Sequence, residues 1–321
     1  MLHILEITFP FFALVLCGYA VARRGWLPLE SIPGLNRFVL DFALPCMLFR
    51  FGASTPIARM LDPSIFGTYL LCALAMVGIG VATTRRGPVS WNDASFGALV
   101  AAFPNSGFMG VPLLVGLLGE RAAAPAIVAL AVDMVITSSL CIALSRLGTG
   151  QAHGSGRAVL NALKGMATNP LPWSIGLGCL VSAFRVSVPT VLTSPVSMLA
   201  DAASPVALFT LGAVLARSSM RAPPPASGAL RRSDVPQIVL YKLIVHPALV
   251  LGAGRLAIAA GAPLDGFAAT VLALVAALPS ASNVPMLAER FGADAGRIAR
   301  IVLVSTALAF LSFSAAVAML V

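Results

Sequence analysis

The chain has 321 residues, 59% of them hydrophobic and 10% charged, with a mean hydropathy of +0.95. Soluble domains are about 45–50% apolar and about 25% charged, so this composition excludes a water-soluble globule and indicates an integral membrane protein. The formal net charge of +9 would suit a nucleic-acid binder, but the basic residues lie at the ends of apolar runs rather than in one patch, which argues against that partner and for a lipid bilayer.

A helix needs about 20 apolar residues to cross the hydrocarbon core. Read between charged or Pro/Gly-rich breaks, the chain offers ten runs: 4–22, 35–52, 65–84, 95–118, 124–146, 169–188, 196–216, 236–259, 266–290 and 298–320. The first has no basic n-region and no A-x-A-like cleavage site after it, so it reads as a retained helix rather than a signal peptide. The second contains "DFALPCMLF" (41–49), with Asp41 about a turn and a half inside. The fourth contains "AAFPNSGFMGVPLL" (101–114), where two prolines, two glycines and an asparagine interrupt what should be an unbroken span. Asp133 lies near the middle of the fifth, and a basic connection at 147–168 follows it. The seventh contains "DAASPVALF" (201–209), the eighth carries Lys242 and His246 one helical turn apart before Pro247, and the ninth contains "VAALPSASNVPMLAERFG" from Val275.

The charges alternate with the runs. Arg23, Arg24, Arg37, Arg85, Arg86, Arg146, Arg157, Lys164, Arg217, Arg221, Arg231, Arg232, Arg290, Arg297 and Arg300 fall at ends on one side, whereas Arg50, Arg59, Arg121, Arg185 and Arg255 fall on the other. This positive-inside asymmetry places both termini on the non-cytoplasmic side of the cell's inner membrane and supports the count of ten. Cys17, Cys46, Cys72, Cys141 and Cys179 all lie within predicted helices without metal-like spacing, and read as small apolar residues.

The two halves resemble each other. "DFALPCMLF" and "DAASPVALF" share Asp, Pro, Leu and Phe at a constant offset of 160. The fourth and ninth runs share V-A-A-[FL]-P, a polar cluster, then V-P and a glycine seven residues after that proline. The register is imperfect, because Pro104 and Pro112 are eight apart and Pro279 and Pro285 six. Two matches in the same order, five runs apart, indicate a 5+5 duplication. Five is odd, so the second unit enters the membrane from the opposite side. The expected fold is an all-α membrane protein of ten transmembrane helices in two inverted five-helix repeats, 1–146 and 169–321, with helices 4 and 9 broken.

A proline inside a helix removes an N–H and frees backbone polar groups, which survive in a membrane only where protein or a wet cavity satisfies them. Asn105 and Ser106 stand at the start of the second half of segment four, and Ser280, Ser282 and Asn283 at the start of the second half of segment nine. These residue types cap helix N-termini, and inverted symmetry would aim both positive helix ends at one point near the midplane. Such a point suits a carboxylate.

These stretches resemble the auxin efflux carrier family, whose plant PIN members export auxin and whose bacterial members are taken as permeases for small organic acids. "LNRFVLDFALPCMLF" (35–49), "FPNSGFMGVPLLVGLLG" (103–119), "LADAASPVALFTLGAVLA" (199–216) and "LPSASNVPMLAERFG" (278–292) resemble its second, fourth, seventh and ninth helices, so the likeness covers nearly the whole chain. The resemblance implies a scaffold part (helices 1, 2, 6 and 7), a transport part (helices 3–5 and 8–10), elevator-like alternating access, and homodimers as one assembly. It also implies that Asn105 contacts a substrate carboxylate while Pro104 and Pro279 set the crossover. The short 147–165 and 217–235 connections hold no large regulatory domain of the plant kind, which argues against auxin as substrate.

Ionisable residues inside spans default to functional readings. Asp133 reads either as a proton or cation carrier or as the partner of a buried donor such as Lys242. Asp201 divides between support of the site and an interhelical role, Asp41 reads as capping or interhelical, and His246 as a packing residue or pH sensor. No cofactor or metal is expected. Coupling stays open between H+, Na+ and the membrane potential, with Ser106, Ser282, Ser305 and Thr306 as oxygens for a sodium ion. An enzyme is disfavoured, because histidines at 3, 153 and 246 converge on no site and neither G-x-S-x-G nor H-E-x-x-H occurs. The Walker-type phosphate loop is also missing from the sequence. A channel or receptor stays open as an alternative, since broken helices also line pores.

Overall fold

The structure is a computed structural model that describes residues 2–54, 62–85, 89–147, 170–221 and 234–321. Most of the predicted 147–168 and 217–235 connections lie outside these residues, as do Arg59, Arg86, His153, Arg157, Lys164, Arg231 and Arg232.

Among the described residues the chain is helical and forms no strand; its extended pairing is a single antiparallel bridge between Pro104 and Ser280. The α-helices are α1 (Leu2–Arg23), α2 (Ile32–Phe38), α3 (Leu44–Ser54), α4 (Pro63–Thr84), α5 (Trp91–Ala102), α6 (Val111–Leu118), α7 (Ala123–Val132) and α8 (Ser138–Leu147). They continue with α9 (Pro170–Ala183), α10 (Thr190–Arg221), α11 (Val235–Leu240), α12 (His246–Ala259), α13 (Gly266–Ala277), α14 (Val284–Arg290) and α15 (Ala295–Leu320). Among the described residues, six helical stretches are long and apolar enough to span a membrane: Leu29–Ser54, Pro63–Thr84, Glu120–Arg146, Thr190–Arg217, Val235–Ala259 and Ala295–Leu320. Four further apolar helices are shorter, among them Ser106–Leu118 and Gly266–Ala277, which end where the breaks divide their runs.

Local chemistry fixes where helices start. The Asp62 carboxylate accepts from the N–H groups of Ser64 (2.8 Å) and Ile65 (3.3 Å), with Pro63 in the first turn, where its missing N–H costs nothing. Ser90 caps α5 by accepting from the Asp93 N–H at 3.0 Å, and Asp294 caps α15 by accepting from the Arg297 N–H at 2.8 Å. Wide π-helical turns at Val39–Ala43, Ser106–Gly110, Asp133–Thr137 and Tyr241–Val245 carry Asp41, Ser106, Asp133 and Lys242. Such turns are uncommon and concentrate at functional positions.

Between membrane helices there is no hydrophobic driving force, so close backbone packing through small residues does the work. α1 and α10 approach at Gly18 and Gly212, where a side chain would strike the backbone of Phe209 and Val15 respectively. α3 and α9 approach in the same way at Gly52 and Gly178, whose added Cβ atoms would meet the backbone of Ile175 and Phe49. α5 and α13 lie at the centre: every residue from Ala94 to Ala102, and every residue from Val271 to Ala277, is buried. A helix apolar all round belongs in such a place. Trp173, Leu177, Leu180, Phe184, Leu256, Leu311 and Met319 face outward, as lipid-facing residues should.

At one set of helix ends Arg297, itself buried, forks onto the Asp234 carboxylate, with Nε to Oδ1 at 2.9 Å and Nη2 to Oδ2, while its Nη1 donates to the Asp93 carbonyl at 2.8 Å. This ties the starts of α5, α11 and α15 together. Gly97 leaves the room, since a Cβ there would lie 2.7 Å from Arg297 Nη2.

Replacing Gly212 with leucine should force α1 and α10 apart and lower the melting temperature in detergent by about 3–10 °C. Gly176→Leu, at an exposed α9 position with open space around it, serves as the control; equal effects of the two in a fluorescence melt would refute the close-packing account.

Candidate functional site

The two breaks meet. α5 ends at Ala102 and Phe103 is extended; Pro104, without an N–H, cannot satisfy the carbonyl of Val100 four residues back. That carbonyl instead accepts from the Ser280 hydroxyl at 2.8 Å, a residue of the other break. α13 ends at Ala277, Leu278 is extended, and the two short extended pieces run antiparallel. The Asn105 N–H donates to the Pro279 carbonyl at 2.8 Å and the Ala281 N–H to the Phe103 carbonyl at 3.0 Å. Ser305 of α15 closes the set, its hydroxyl accepting from the Ser280 N–H at 3.3 Å.

Beyond the crossing, Asn105 has φ −77° and ψ 52°, close to an inverse γ-turn, and the Ser106 N–H folds back to the Pro104 carbonyl at 2.8 Å. The Asn105 carbonyl receives the N–H groups of both Met109 (3.1 Å) and Gly110 (3.0 Å), which starts the second half-helix. Neither Asn105 nor Asn283 caps its helix through its side chain. The Asn105 side-chain Nδ2 is instead buried without a hydrogen-bond partner, a costly condition for a donor of two hydrogens. Ser106 and Pro279 are buried beside it, and Ser282 and Asn283 are half-buried. Ser282, Asn283 and Phe108 face Asn36, Val39 and Leu40 on one side and Ala207, Leu211 and Val214 of α10 on the other, around a slot of about 10 Å³. That holds about one water. A far larger cavity of about 690 Å³ opens between α3 and α10 on one wall and α6 and α7 on the other, lined by Arg50, Ser54, Pro112, Arg121 and Asp201 among others.

A second polar group lies buried among α4, α7, α12 and α13. The Tyr69 hydroxyl donates to Asp133 Oδ2 at 2.7 Å, and the Thr137 hydroxyl donates to Asp133 Oδ1 at 3.2 Å. Lys242 Nζ donates to the Ala276 carbonyl at 2.7 Å and stands 3.1 Å from His246 Nδ1. The Tyr69 and His246 rings are 6.1 Å apart, which joins the two halves of the group. Among the described residues, ion pairs within 4.0 Å form at Arg50–Asp201 and Arg297–Asp234, not at Asp133–Lys242. Asp133 therefore takes hydroxyl donors, and Lys242 takes a carbonyl freed by the α13 break.

The structure thus brings Pro104, Asn105, Ser106, Pro279 and Ser305 to one place, with Ser282 and Asn283 on its rim. It sets Asp133 and Lys242 behind that place and puts Asp201 elsewhere, 2.6 Å from Arg50 at the edge of the large cavity. Asp41 is exposed, and none of the five cysteines is in a disulfide. Sequence reasoning missed the roles of Tyr69 and Thr137; the signal available was a tyrosine set within an otherwise apolar span. No group of three or more His, Cys, Asp or Glu suited to a metal occurs among the described residues.

The model of the Mem_trans family, described as "Membrane transport protein", matches residues 3–317. The chain is 28% identical over 313 residues to the "Putative malonate transporter" of Rhizobium meliloti, covering 96% of this chain and 93% of that one. It is 25% identical over 290 residues to the "Uncharacterized transporter YfdV" of Escherichia coli K12, covering 88% and 86%. A shorter likeness, 30% over 122 residues and 37% of this chain, reaches the "Probable auxin efflux carrier component 1c" of Oryza sativa, of which it covers 20%. An apolar multi-helix chain matched over nearly its whole length in this way belongs to the Mem_trans family of membrane transport proteins, the family of the auxin efflux carriers, and is a multi-pass membrane transporter rather than an enzyme.

Proposed function

We propose that the protein is a secondary transporter for a small carboxylate-bearing anion, bound at the crossing of the two broken helices and moved by elevator-like alternating access. The observation that carries this reading is the buried, unpartnered Asn105 amide nitrogen beside the antiparallel crossing of 103–105 with 279–281. An amide N–H and the positive ends of two half-helices are what a carboxylate needs in a site from which water is excluded. Pro104 and Pro279 make the crossing, while Ser106, Ser282 and Asn283 border it. Asp133, Lys242 and Ser305 support it from behind, and Asp201 stands on the scaffold wall. The Rhizobium meliloti relative is named for malonate, which makes a short dicarboxylate the first substrate to test.

In this reading the ten apolar runs form two inverted five-helix repeats, 1–146 and 169–321, joined by the 147–168 connection. The paired contacts α1–α10 and α3–α9, each closed by glycines, support a scaffold of helices 1, 2, 6 and 7. The Arg297–Asp234–Asp93 junction supports the remaining helices moving as one body. The slot of about 10 Å³ facing α10 is then the closed form of the site, and the 690 Å³ cavity an approach to it. Arg85, Arg146 and Arg290 rest on the rings of Trp91 and Phe291, so residues of the larger basic set gather together. Arg50 and Arg121, of the smaller set, share the large cavity. This grouping supports an inner-membrane orientation with both termini non-cytoplasmic.

Asn105→Ala should weaken carboxylate binding about 10- to 100-fold, the worth of one hydrogen bond to a charged group, with little change in the unliganded melting temperature. Malonate and related mono- and dicarboxylates titrated against purified protein in a thermal-shift assay would measure it, and undiminished affinity would remove Asn105 from the site. A carrier also saturates and shows counterflow with trapped substrate; flux without either would favour a pore. In a cysteine-free background, cysteines introduced at 153 and 227 should both be labelled from the cytoplasmic side by an impermeant maleimide, and labelling from outside would overturn the orientation.

A further inference from the structure

The ion pairs among the described residues are built differently. Arg297 grips Asp234 through two nitrogens, and the two side chains are 9% and 15% exposed. Arg50 holds Asp201 through one bond, Nη1 to Oδ1 at 2.6 Å, with the side chains 38% and 69% exposed. An enclosed bidentate pair is a clamp, whereas an exposed pair with one bond contributes little, and a carboxylate from solution can take the place of its acid at small cost. The fold does not require an arginine at this place. In the register that matches "DFALPCMLF" with "DAASPVALF", the residue after the shared Phe is Arg50 in one half and Thr210 in the other, and Asp201 corresponds to Asp41. Asp41 is exposed, and the Thr210 hydroxyl is buried without a hydrogen-bond partner.

The Arg50–Asp201 pair lies on the α3 and α10 wall of the cavity of about 690 Å³, opposite Pro112 and Val115 of α6. α6 is the second half of the broken fourth run and leads back to Asn105. The ionisable residues lining the cavity are Arg50 and Arg121 against Glu120 and Asp201, so it draws no anion by net charge. Its Arg50 guanidinium becomes available to an anion only by exchanging the carboxylate it already holds.

We propose that Arg50 is the receptor for the substrate carboxylate in the large cavity, a specificity-determining residue that Asp201 occupies until a free carboxylate displaces it. The inference rests on the carboxylate-transport reading of this protein. The exchange is carboxylate for carboxylate: the guanidinium keeps a charged acceptor, and the Asp201 side chain, more than two-thirds exposed, is released to water. A guanidinium presents a planar fork that matches a carboxylate bidentately. A solute without such a group offers no replacement for Asp201 and leaves the pair closed.

The test is a double-mutant cycle on the purified protein, with malonate affinity read by thermal shift. Arg50→Gln should weaken malonate binding about fivefold or more, and Asp201→Asn, which frees the guanidinium, should strengthen it about two- to fivefold. In the double variant the gain should vanish, leaving the affinity of Arg50→Gln, because Asp201 acts only through Arg50. A gain from Asp201→Asn that persists without Arg50 reflects removal of a negative charge from the cavity and overturns the proposal. Losses in both single variants are those of a structural clamp and overturn it as well, as does an absence of stabilisation by malonate in both wild type and Asp201→Asn. Where Arg50→Gln fails to fold, Arg50→Met, which keeps the apolar stem, takes its place in the cycle. Asn105→Ala separates this site from the crossing: undiminished affinity there with the expected cycle here removes the crossing and retains Arg50, and the converse overturns Arg50 alone.

Discussion

A backbone N–H or carbonyl inside a membrane must find a partner within the protein, and the rest of this structure depends on that constraint. Pro104 and Pro279 each remove a donor from a helix buried on all sides. Neither break closes alone. The groups released by one are satisfied by the other: Asn105 N–H by the Pro279 carbonyl, Ala281 N–H by the Phe103 carbonyl, and the Val100 carbonyl by Ser280. Two defects that would each cost several kcal/mol become one shared junction. The junction sits where α5 and α13 are most deeply enclosed, so the surrounding helices also keep lipid away from it.

The same constraint orders the charged groups behind the junction. Asp133 and Lys242 are both fully buried, yet each is held by neutral partners rather than by the other. An ionised group in hydrocarbon is tolerated only when its hydrogen-bonding capacity is filled. Tyr69 and Thr137 fill that of Asp133; the Ala276 carbonyl and His246 serve Lys242. The exposed Arg50–Asp201 pair is a different matter, since solvent at the mouth of a wide cavity weakens such an interaction. Arg297 is different again. Its bidentate hold on Asp234 and its bond to the Asp93 carbonyl are nearly enclosed, and they join three helix starts whose common motion the proposed mechanism requires.

Much of the molecule was legible because its signals are local. Apolar run length marks spans, and in Leu29–Ser54, Pro63–Thr84 and Ala295–Leu320 the helices follow the runs closely. Proline alone does not mark a break, since Pro10 and Pro205 stay inside continuous helices, but a proline followed by a polar cluster named 104 and 279 from the sequence. What the side chains near a break do was less legible. Asn105 and Asn283 have the composition of helix caps but do not cap, because Asn105 enters a γ-turn and its backbone carbonyl takes the incoming N–H groups. Ser280 looked like one more cap and instead donates across the crossing to Val100, 180 residues away. Tyr69 gave almost no signal, since an aromatic residue in an apolar helix is ordinary until its hydroxyl is seen against a buried carboxylate.

The sequence by itself determined that the chain lives in a membrane, that its apolar runs are helices, that two of them are interrupted at corresponding places, and that its family is that of the auxin efflux carriers. The first three depend on composition, periodicity and the covalent fact that proline has no N–H; the family depends on the likeness of the motifs around the breaks. Only the tertiary structure decided that the two interruptions pair with each other, that Lys242 serves the Ala276 carbonyl and not Asp133, and that the Asn105 amide nitrogen is left without a partner. The physical reason is that these are competitions among buried donors and acceptors far apart in the chain. Which partner wins is set by a few tenths of a nanometre of helix placement, and no local pattern of residues encodes that.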